Sequence, residues 1–343
     1  MSIRAVAELA GVAPSTVSLS INRPEQVADE TREAVLRAMD TLEYSPKARG
    51  RPRKMGEIRP STNRTHRVAL LAVGETSVVL QAPIYMSVIR GVESVLSKQG
   101  ITLVMRRVPT PLTTPLLASR VDGLIFIGEP DDPQLREEIL KLPCVQVMSL
   151  IREDATWDHV SFDNSRVGKI AAEYLLTRGH RNCAYAGEFS KNGAVGRERR
   201  TIFQKQIESG GGTAKTFLRE SLYVKGDGAQ RVNRPLLASL LDEILRQRPR
   251  PTALFVEADL LTSVLYSLLY ERGLTPGKDL EIVSCNNENL LLQGLHPRPA
   301  TIETHAEDIG RRAVEVLLKR IESPTAPRVS LTLEPELITG NVS

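Results

Sequence analysis

Short, largely apolar runs alternate with stretches of helical length over most of this chain, and this alternation constrains the fold more than any other feature. The runs fall at 68–73, 121–127, 183–186, 253–256 and 281–284, with predicted helices between them. Strands that are apolar on both faces are typical of parallel sheets covered by helices on both sides. The chain therefore predicts two α/β series and two lobes of similar construction. Ligands of such open sheets bind at the carboxyl ends of the strands.

The first 46 residues follow a different pattern and predict three short helices. The apolar stripe of Val6, Leu9 and Ala10 indicates the first helix. A second opens at Pro14, a residue that is tolerated in the first turn, and a third runs from about residue 29 to 42. This spacing suits a helix-turn-helix, in which one helix braces a second one in the major groove of DNA. An ordinary helical hairpin is the alternative.

In the helix-turn-helix interpretation, the second helix carries the DNA contacts. Gly11 permits the tight turn, and Val17 packs the second helix against the first. The residues expected to face base edges are Pro14, Ser15, Ser18 and Leu19, and those expected to reach phosphates are Thr16 and Asn22. Leu19 offers only apolar contact, for example to a thymine methyl group.

The net charge of +4 is concentrated in one segment. Between Tyr44 and Arg67, eight Lys and Arg residues stand against a single acid, Glu57, so this segment carries +7 and the rest of the chain −3. Contact with a polyanion such as DNA explains this charge, and a solvated, flexible linker explains it equally well. Gly, Pro, Ser and Thr are frequent here, and 47–66 is interpreted as a linker.

Segments that match one known family occur in order along nearly the whole chain. They are 6–12, 16–18, 31–35, 42–46, 121–125, 175–180, 251–256 and 301–317. In these segments the chain resembles the lactose-repressor/galactose-repressor (LacI/GalR) family of transcription regulators. A match confined to the head would be far less specific than one that extends over some 300 residues.

The resemblance implies a homodimer whose two heads read a pseudo-palindromic operator in double-stranded DNA. A small, sugar-like effector between two periplasmic-binding-protein-like lobes would change operator affinity, and repression is the family's usual outcome. The chain would cross between the lobes three times. The expected parts are a head at 1–46, a linker at 47–66 and an effector-binding body at 67–343, with one lobe formed by about 67–161 and 291–322 and the other by about 162–290 and 323–343.

The linker departs from the family pattern. Family members usually form a hinge helix here and wedge a leucine into the minor groove. This chain has Gly50 and Pro52 at those positions and no leucine between residues 44 and 67. The segment 49–54 instead resembles the core of an AT-hook, with candidate DNA contacts at Arg49, Arg51, Arg53 and Lys54. We expect it to enter a narrow A·T-rich minor groove, the alternative being non-specific phosphate contact.

Four effector-binding candidates follow from the resemblance, position by position. Tyr85 matches an aromatic that flanks the ligand, and Arg199 matches an arginine suited to hydroxyls or a carboxylate, although a surface helix charge is the plainer interpretation. Asp259 matches an acid of the family's Asn-Asp segment. Asn286 stands where an aspartate often grips sugar hydroxyls.

Other function classes have little support in the sequence. The five histidines are scattered, and no phosphate loop, nucleophile elbow or metal-ligand spacing occurs, so we expect no enzyme activity, metal or cofactor. The three cysteines are expected to be buried apolar residues. The absence of a signal-peptide pattern and of a predicted membrane span favours a cytoplasmic regulator over a periplasmic sugar-binding protein. An architectural DNA binder, with a body that only dimerises, remains the alternative.

Overall fold

A computed structural model describes residues 3–22, 27–42, 64–73, 82–108, 120–149, 155–189, 194–224 and 231–340. The chain forms two compact units, Met1–Arg59 and Pro60–Ser343. Most of the predicted linker lies outside the described residues, including all four of its candidate DNA contacts, Arg49, Arg51, Arg53 and Lys54.

The first unit contains the three predicted helices, α1 (Ile3–Leu9), α2 (Pro14–Asn22) and α3 (Asp29–Thr41). Gly11 has a φ of 66°, a left-handed conformation that glycine adopts without the steric penalty of a side chain. This turn reverses the chain between α1 and α2. A small apolar core joins the three helices and consists of Val6, Ala7, Val17, Val35 and Ala38.

The second unit contains two six-stranded sheets. The first sheet has the order β13-β5-β4-β3-β1-β2, and every neighbouring pair is parallel. Its strands are β1 (Arg67–Val73), β2 (Thr102–Val108), β3 (Gly123–Ile127), β4 (Cys144–Val147), β5 (Asp158–Phe162) and β13 (Ser330–Leu333). The helices of this half are α4 (Pro83–Leu96), extended by a 3-10 turn at Ser97–Gln99, α5 (Pro133–Leu140) and α11 (Ala306–Glu322).

The second sheet has the order β14-β12-β11-β10-β6-β7 and is parallel except for its edge strand β14. Its strands are β6 (Asn182–Glu188), β7 (Thr213–Arg219), β10 (Ala253–Val256), β11 (Glu281–Cys285), β12 (Ala300–Glu303) and β14 (Glu336–Ile338). The helices of this half are α6 (Asn164–Thr177), α7 (Ala194–Ser209), α8 (Arg234–Leu245), α9 (Asp259–Glu271) and the short α10 (Asn289–Leu292). A small hairpin is formed by β8 (Tyr223–Val224) and β9 (Arg231–Val232).

Two strands lie in the opposite sheet from the predicted one. Residues 291–322 were expected in the first lobe, but β12 pairs with β11 in the second sheet. Residues 323–343 were expected in the second lobe, but β13 pairs with β5 in the first. The chain thus passes between the sheets three times, after β5, after β12 and after β13.

A buried acid accounts for the position of β13. Asp158 is 1% exposed and accepts two hydrogen bonds of 2.8 Å from the Arg320 guanidinium. The same carboxylate accepts the Val329 N–H at 2.7 Å. A buried carboxylate must be paired to offset its desolvation, and here its partners are the end of α11 and the chain that enters β13. These contacts hold β13 against β5.

The cysteine prediction is confirmed: Cys144, Cys183 and Cys285 are all free and buried. None of the helices in the described ranges combines the length and the hydropathy that crossing a bilayer requires.

Candidate effector cavity and DNA-binding helix

The DNA contacts predicted for the head lie on one helix, α2, which carries no charged side chain. On α2, Pro14 and Ser15 are exposed, Leu19 is 39% exposed, and Thr16 and Ser18 are partly covered. Val17 is fully buried in the head core, as predicted. Asn22 is the last residue of the helix. The apolar side of α2 is therefore used for packing, and an exposed face is left on which Pro14, Ser15 and Leu19 lie.

Two adjoining cavities of the second unit lie where the carboxyl ends of the two sheets face each other. They have volumes of about 250 Å³ and 200 Å³ and share Ile84, Tyr85, Tyr223, Ala258 and Asn286. The first sheet contributes the chain after β1 and β4 and the end of β5. The second contributes the chain that follows β6, β10 and β11. This is the location expected for a ligand of open α/β sheets.

Three of the four effector candidates line these cavities. Tyr85 and Asn286 line both, and Arg199 lines the smaller one. Asn286 has a φ of 106°, outside the common regions for a side-chain-bearing residue, although asparagine is among the residues that tolerate positive φ best. Its backbone N–H donates to the Ile302 carbonyl at 2.8 Å, which holds the turn after β11 at the cavity wall.

Asp259 has a different position, because it is fully buried and is absent from the residues that line either cavity. Its carboxylate accepts the Glu288 N–H at 2.7 Å and the Thr301 hydroxyl at 3.0 Å. Burial raises the pKa of Asp259 to about 6. The sequence match located the residue correctly at the start of α9. The hydrogen bonds indicate that it positions the loop that carries Glu288.

Arg199 is not a surface charge, since only 6% of it is exposed. Its Nη1 donates to the Glu257 carbonyl at 2.8 Å, and its Nη2 donates to Asn164 Oδ1 at 3.0 Å. The guanidinium also lies 5.7 Å from the centre of the Phe162 ring. Its Nε is buried and has no hydrogen-bond partner among the residues that the structure describes. The arginine is thus held by two hydrogen bonds, with the Nε–H unsatisfied within the described part of the chain.

A glycine allows α7, the helix of Arg199, to approach α6 closely. A Cβ atom on Gly168 would lie 2.2 Å from the Arg199 carbonyl oxygen, which is far inside van der Waals contact. Only glycine permits this separation without a backbone shift. Helix α7 begins at Ala194, so Arg199 lies inside the helix and not in its first turn.

Three glutamates that the sequence analysis did not select also line the cavities: Glu188, Glu257 and Glu288. Glu257 Oε1 accepts the Glu188 N–H at 2.7 Å, and Glu257 Oε2 accepts the Tyr185 hydroxyl at 3.3 Å. Burial raises the pKa of Glu257 to about 7. Burial, with the nearby Asp259 carboxylate as a second cause, raises the pKa of Glu288 to about 8.

A sequence signal for these glutamates existed. Glu188 ends β6, Glu257 directly follows β10, and Glu288 comes three residues after β11. Strands β6, β10 and β11 are neighbours in one sheet, so their carboxyl ends meet along one edge. An acid at each of three adjacent strand ends predicts an acidic cluster once the strand order is known. The strand order itself is not written in the sequence.

Comparisons with known proteins agree with this two-part architecture. The family described as bacterial regulatory proteins, lacI family, matches residues 2–47, and the periplasmic binding protein-like domain matches residues 172–341. The HTH-type transcriptional repressor PurR of Erwinia tasmaniensis is 30% identical over 348 residues, which cover 98% of this chain and 95% of that protein. PurR of Vibrio atlanticus is 28% identical over 347 residues, covering 98% and 97%.

Solved structures of regulators share the fold. A complex of the transcriptional regulator CelR with cellobiose has a TM-score of 0.67 at 24% identity and covers all of both chains. A LacI family transcriptional regulator from Enterococcus faecalis V583 with bound ribose has a TM-score of 0.65 at 21% identity, covering 80% of this chain and 97% of that one. The predicted family and fold class are confirmed, and this chain belongs to the lacI family of bacterial regulatory proteins.

Proposed function

We propose that this protein is a DNA-binding transcriptional repressor whose operator affinity is changed by a small, sugar-like molecule. The observation that carries the proposal is a cavity of about 250 Å³, lined by tyrosine, asparagine and glutamate side chains among others, in a chain that also has a helix-turn-helix head. The PurR relatives are repressors, and the regulators of similar fold hold cellobiose or ribose. The protein would act in the cytoplasm as a homodimer, and by binding rather than by catalysis.

In this proposal, the exposed face of α2 reads base edges and the effector joins the two lobes of each subunit. A ligand shifts a conformational equilibrium only by its difference in affinity for the two states. Tyr85 and Ile84, at the start of α4, face Ala258 and Asn286 of the other sheet across the cavities. A molecule held by both sides favours one lobe arrangement over another. An architectural DNA binder, whose body only dimerises, does not require such a cavity.

Selection from random DNA tests the proposal directly. The purified full chain should enrich an approximate palindrome from a random double-stranded library. The selected duplex should bind about a thousandfold or more tightly than random DNA at physiological salt. If no selected duplex has an advantage over random DNA, the proposed function is wrong. If a duplex is selected but no small molecule alters its affinity, the architectural alternative is the better description.

The linker gives a second prediction about DNA. We propose that Arg51 and Arg53 insert into the minor groove at the operator centre, in place of the family's leucine wedge. Arg51→Ala and Pro52→Ala should then weaken binding to an operator with an A·T-rich centre by about tenfold, because a narrow A·T groove has the strongest negative potential. The same operator with a G·C-rich centre should lose much less affinity.

Titration of both operators with the two variants and the unmodified protein, at one salt concentration, measures this difference. Arg64→Ala, which removes a charge nearer to β1, serves as the matched control. Equal losses on both centres would show non-specific phosphate contact and would dismiss the AT-hook interpretation.

A further inference from the structure

The lining of the proposed effector cavity is rich in acidic side chains. Glu188, Glu257 and Glu288 line it, and Arg199 is the one cationic side chain among the lining residues described. All three carboxylates lie close enough to the Tyr223 phenol to raise its pKa, after burial as the largest cause. The carboxylates therefore converge on one part of the cavity.

Arg199 compensates this cluster only in part. Two of its nitrogens donate to the Glu257 carbonyl oxygen and to Asn164, so these hydrogen bonds reach no carboxylate oxygen. Among the lining residues described, Glu257 and Glu288 together stand against this one guanidinium, which leaves one net negative charge when both acids are ionised. Burying unpaired charge is costly, and such groups either bind a proton or pair with a cation.

Glu288 has the least compensation within the protein. Its Oε1 is buried and has no hydrogen-bond partner within the described ranges of the chain. The Ile84 backbone N–H lowers its pKa, but burial and the Asp259 carboxylate raise it more, to about 8. The Glu188 N–H and the Arg199 guanidinium lower the pKa of Glu257, but burial raises it more, to about 7. Without a ligand these acids hold protons near neutral pH, and an ammonium group would displace those protons.

A second observation points to a hydrogen-bond acceptor on the same ligand. Arg199 lines the cavity and is 6% exposed, and its Nε–H has no partner among the described residues. Leaving a buried donor unsatisfied is unfavourable, and a ligand oxygen would satisfy it. The chemistry of the site is therefore mixed, with acceptors for a cation and one donor for a hydroxyl or ring oxygen.

We propose that the effector is a small hydroxylated amine of the amino-sugar class, with its ammonium group on Glu288 and Glu257 and an oxygen on Arg199. This inference rests on the proposed function, because it narrows the ligand of the same cavity. A neutral sugar could donate hydroxyl hydrogen bonds to Glu288 and Glu257, but it would bring no positive charge to offset their ionisation. A carboxylate ligand would add negative charge beside them.

Matched ligands separate these classes. We would measure binding of D-glucosamine, D-glucose and N-acetyl-D-glucosamine to the full chain by calorimetry at pH 6.5, where the free amine is already an ammonium group and takes up no proton on binding, and repeat this with the galactose and mannose series. At least one free amine should bind about tenfold or more tightly than its neutral and acetylated counterparts. Its binding should release protons, seen as an enthalpy that changes with the ionisation enthalpy of the buffer.

Two variants locate the effect. Glu288→Gln should remove the preference for the amine and most of the proton release. Glu137→Gln, which changes an exposed acid on α5, should retain both. Proton release by the unmodified protein does not depend on either variant folding. The proposal is overturned if neutral sugars bind as tightly as the amines, if none of the amines binds, or if Glu288→Gln keeps the preference.

The DNA assay distinguishes this failure from failure of the proposed function. If a duplex is selected and a neutral sugar changes its affinity, the protein is an effector-controlled repressor and only the amine assignment is wrong. If no duplex is selected, the proposed function itself fails, whatever the cavity binds.

Discussion

Gly310→Ala is expected to lower the free energy of unfolding by about 3 kcal/mol and the Tm by about 6–12 °C. Gly310 lies on α11, where that helix crosses α4. A Cβ atom there would lie 2.1 Å from the Val88 carbonyl oxygen and 2.9 Å from the Val92 nitrogen. Both atoms belong to the backbone, so no side-chain rotation relieves the clash. The helices must separate, and their buried apolar faces must separate with them.

The opposite side of this helix crossing is built in the same way. A Cβ atom on Gly91 of α4 would lie 1.9 Å from the Glu307 carbonyl oxygen of α11. The two glycines therefore permit a close backbone approach from both directions. The loss of stability caused by Gly310→Ala should appear in urea or thermal unfolding followed by circular dichroism.

Gly294→Ala is the matched control for this experiment, because a Cβ atom at that exposed position meets nothing within 4 Å. Helix propensity alone favours alanine over glycine by up to about 1 kcal/mol, so the predicted sign at Gly310 opposes it. If the Gly310→Ala protein is as stable as the Gly294→Ala protein, the close approach of α4 and α11 does not contribute measurably to the free energy of unfolding.

Glu288→Gln is expected to stabilise the ligand-free protein at pH 8.5 by on the order of 1–3 kcal/mol, and to leave its stability near pH 5 almost unchanged. The ordinary pKa of a glutamate is 4.5, and in the folded protein that of Glu288 is about 8. The folded state therefore binds more protons than the unfolded state between these values. The contribution of Glu288 to the free energy of unfolding is therefore highest below pH 4.5, and it falls as the pH rises through 8.

Glutamine resembles the protonated acid and cannot ionise, so the variant loses this dependence. The remaining groups that titrate around Glu288, including Asp259 with a pKa of about 6 and Glu257 with a pKa of about 7, are common to both proteins. Groups that do not interact with Glu288 cancel in the difference between the two stability curves, whereas the titration of Asp259 shifts with the loss of the Glu288 charge and is part of the measured effect. Thermal unfolding of the variant, of Glu137→Gln and of the unmodified protein from pH 5 to 9 measures the effect. Parallel curves for all three would contradict it.

The two large predictions concern features that the sequence analysis did not select. Gly310 and Gly91 are ordinary glycines within helical sequence, and their role depends on which helices cross. The three cavity glutamates were visible at strand ends, but only the strand order brings them together. The resemblance to a family directed attention to Asp259, and the structure instead places Glu288 at the cavity, with Asp259 beneath it.

Local sequence patterns predicted much of the secondary structure and the head. Apolar runs such as 68–73 and 253–256 became buried strands, because a strand covered on both faces needs apolar side chains at every position. Gly11 and Val17 predicted the turn and the packing of the head, since these depend on neighbours within a few residues. The matches spread along the chain identified the family.

The sequence by itself determined the elements, the cysteines' burial and the lacI-type organisation, because these depend on local periodicity, composition and motifs. Tertiary structure alone decided that β12 and β13 exchange sheets, that Arg199 is buried rather than exposed, and that three acids share one cavity. Such features depend on hydrogen bonds between residues far apart in the chain, for example those of Asp158 with Arg320. No window of sequence contains both partners, so only the folded chain reveals them.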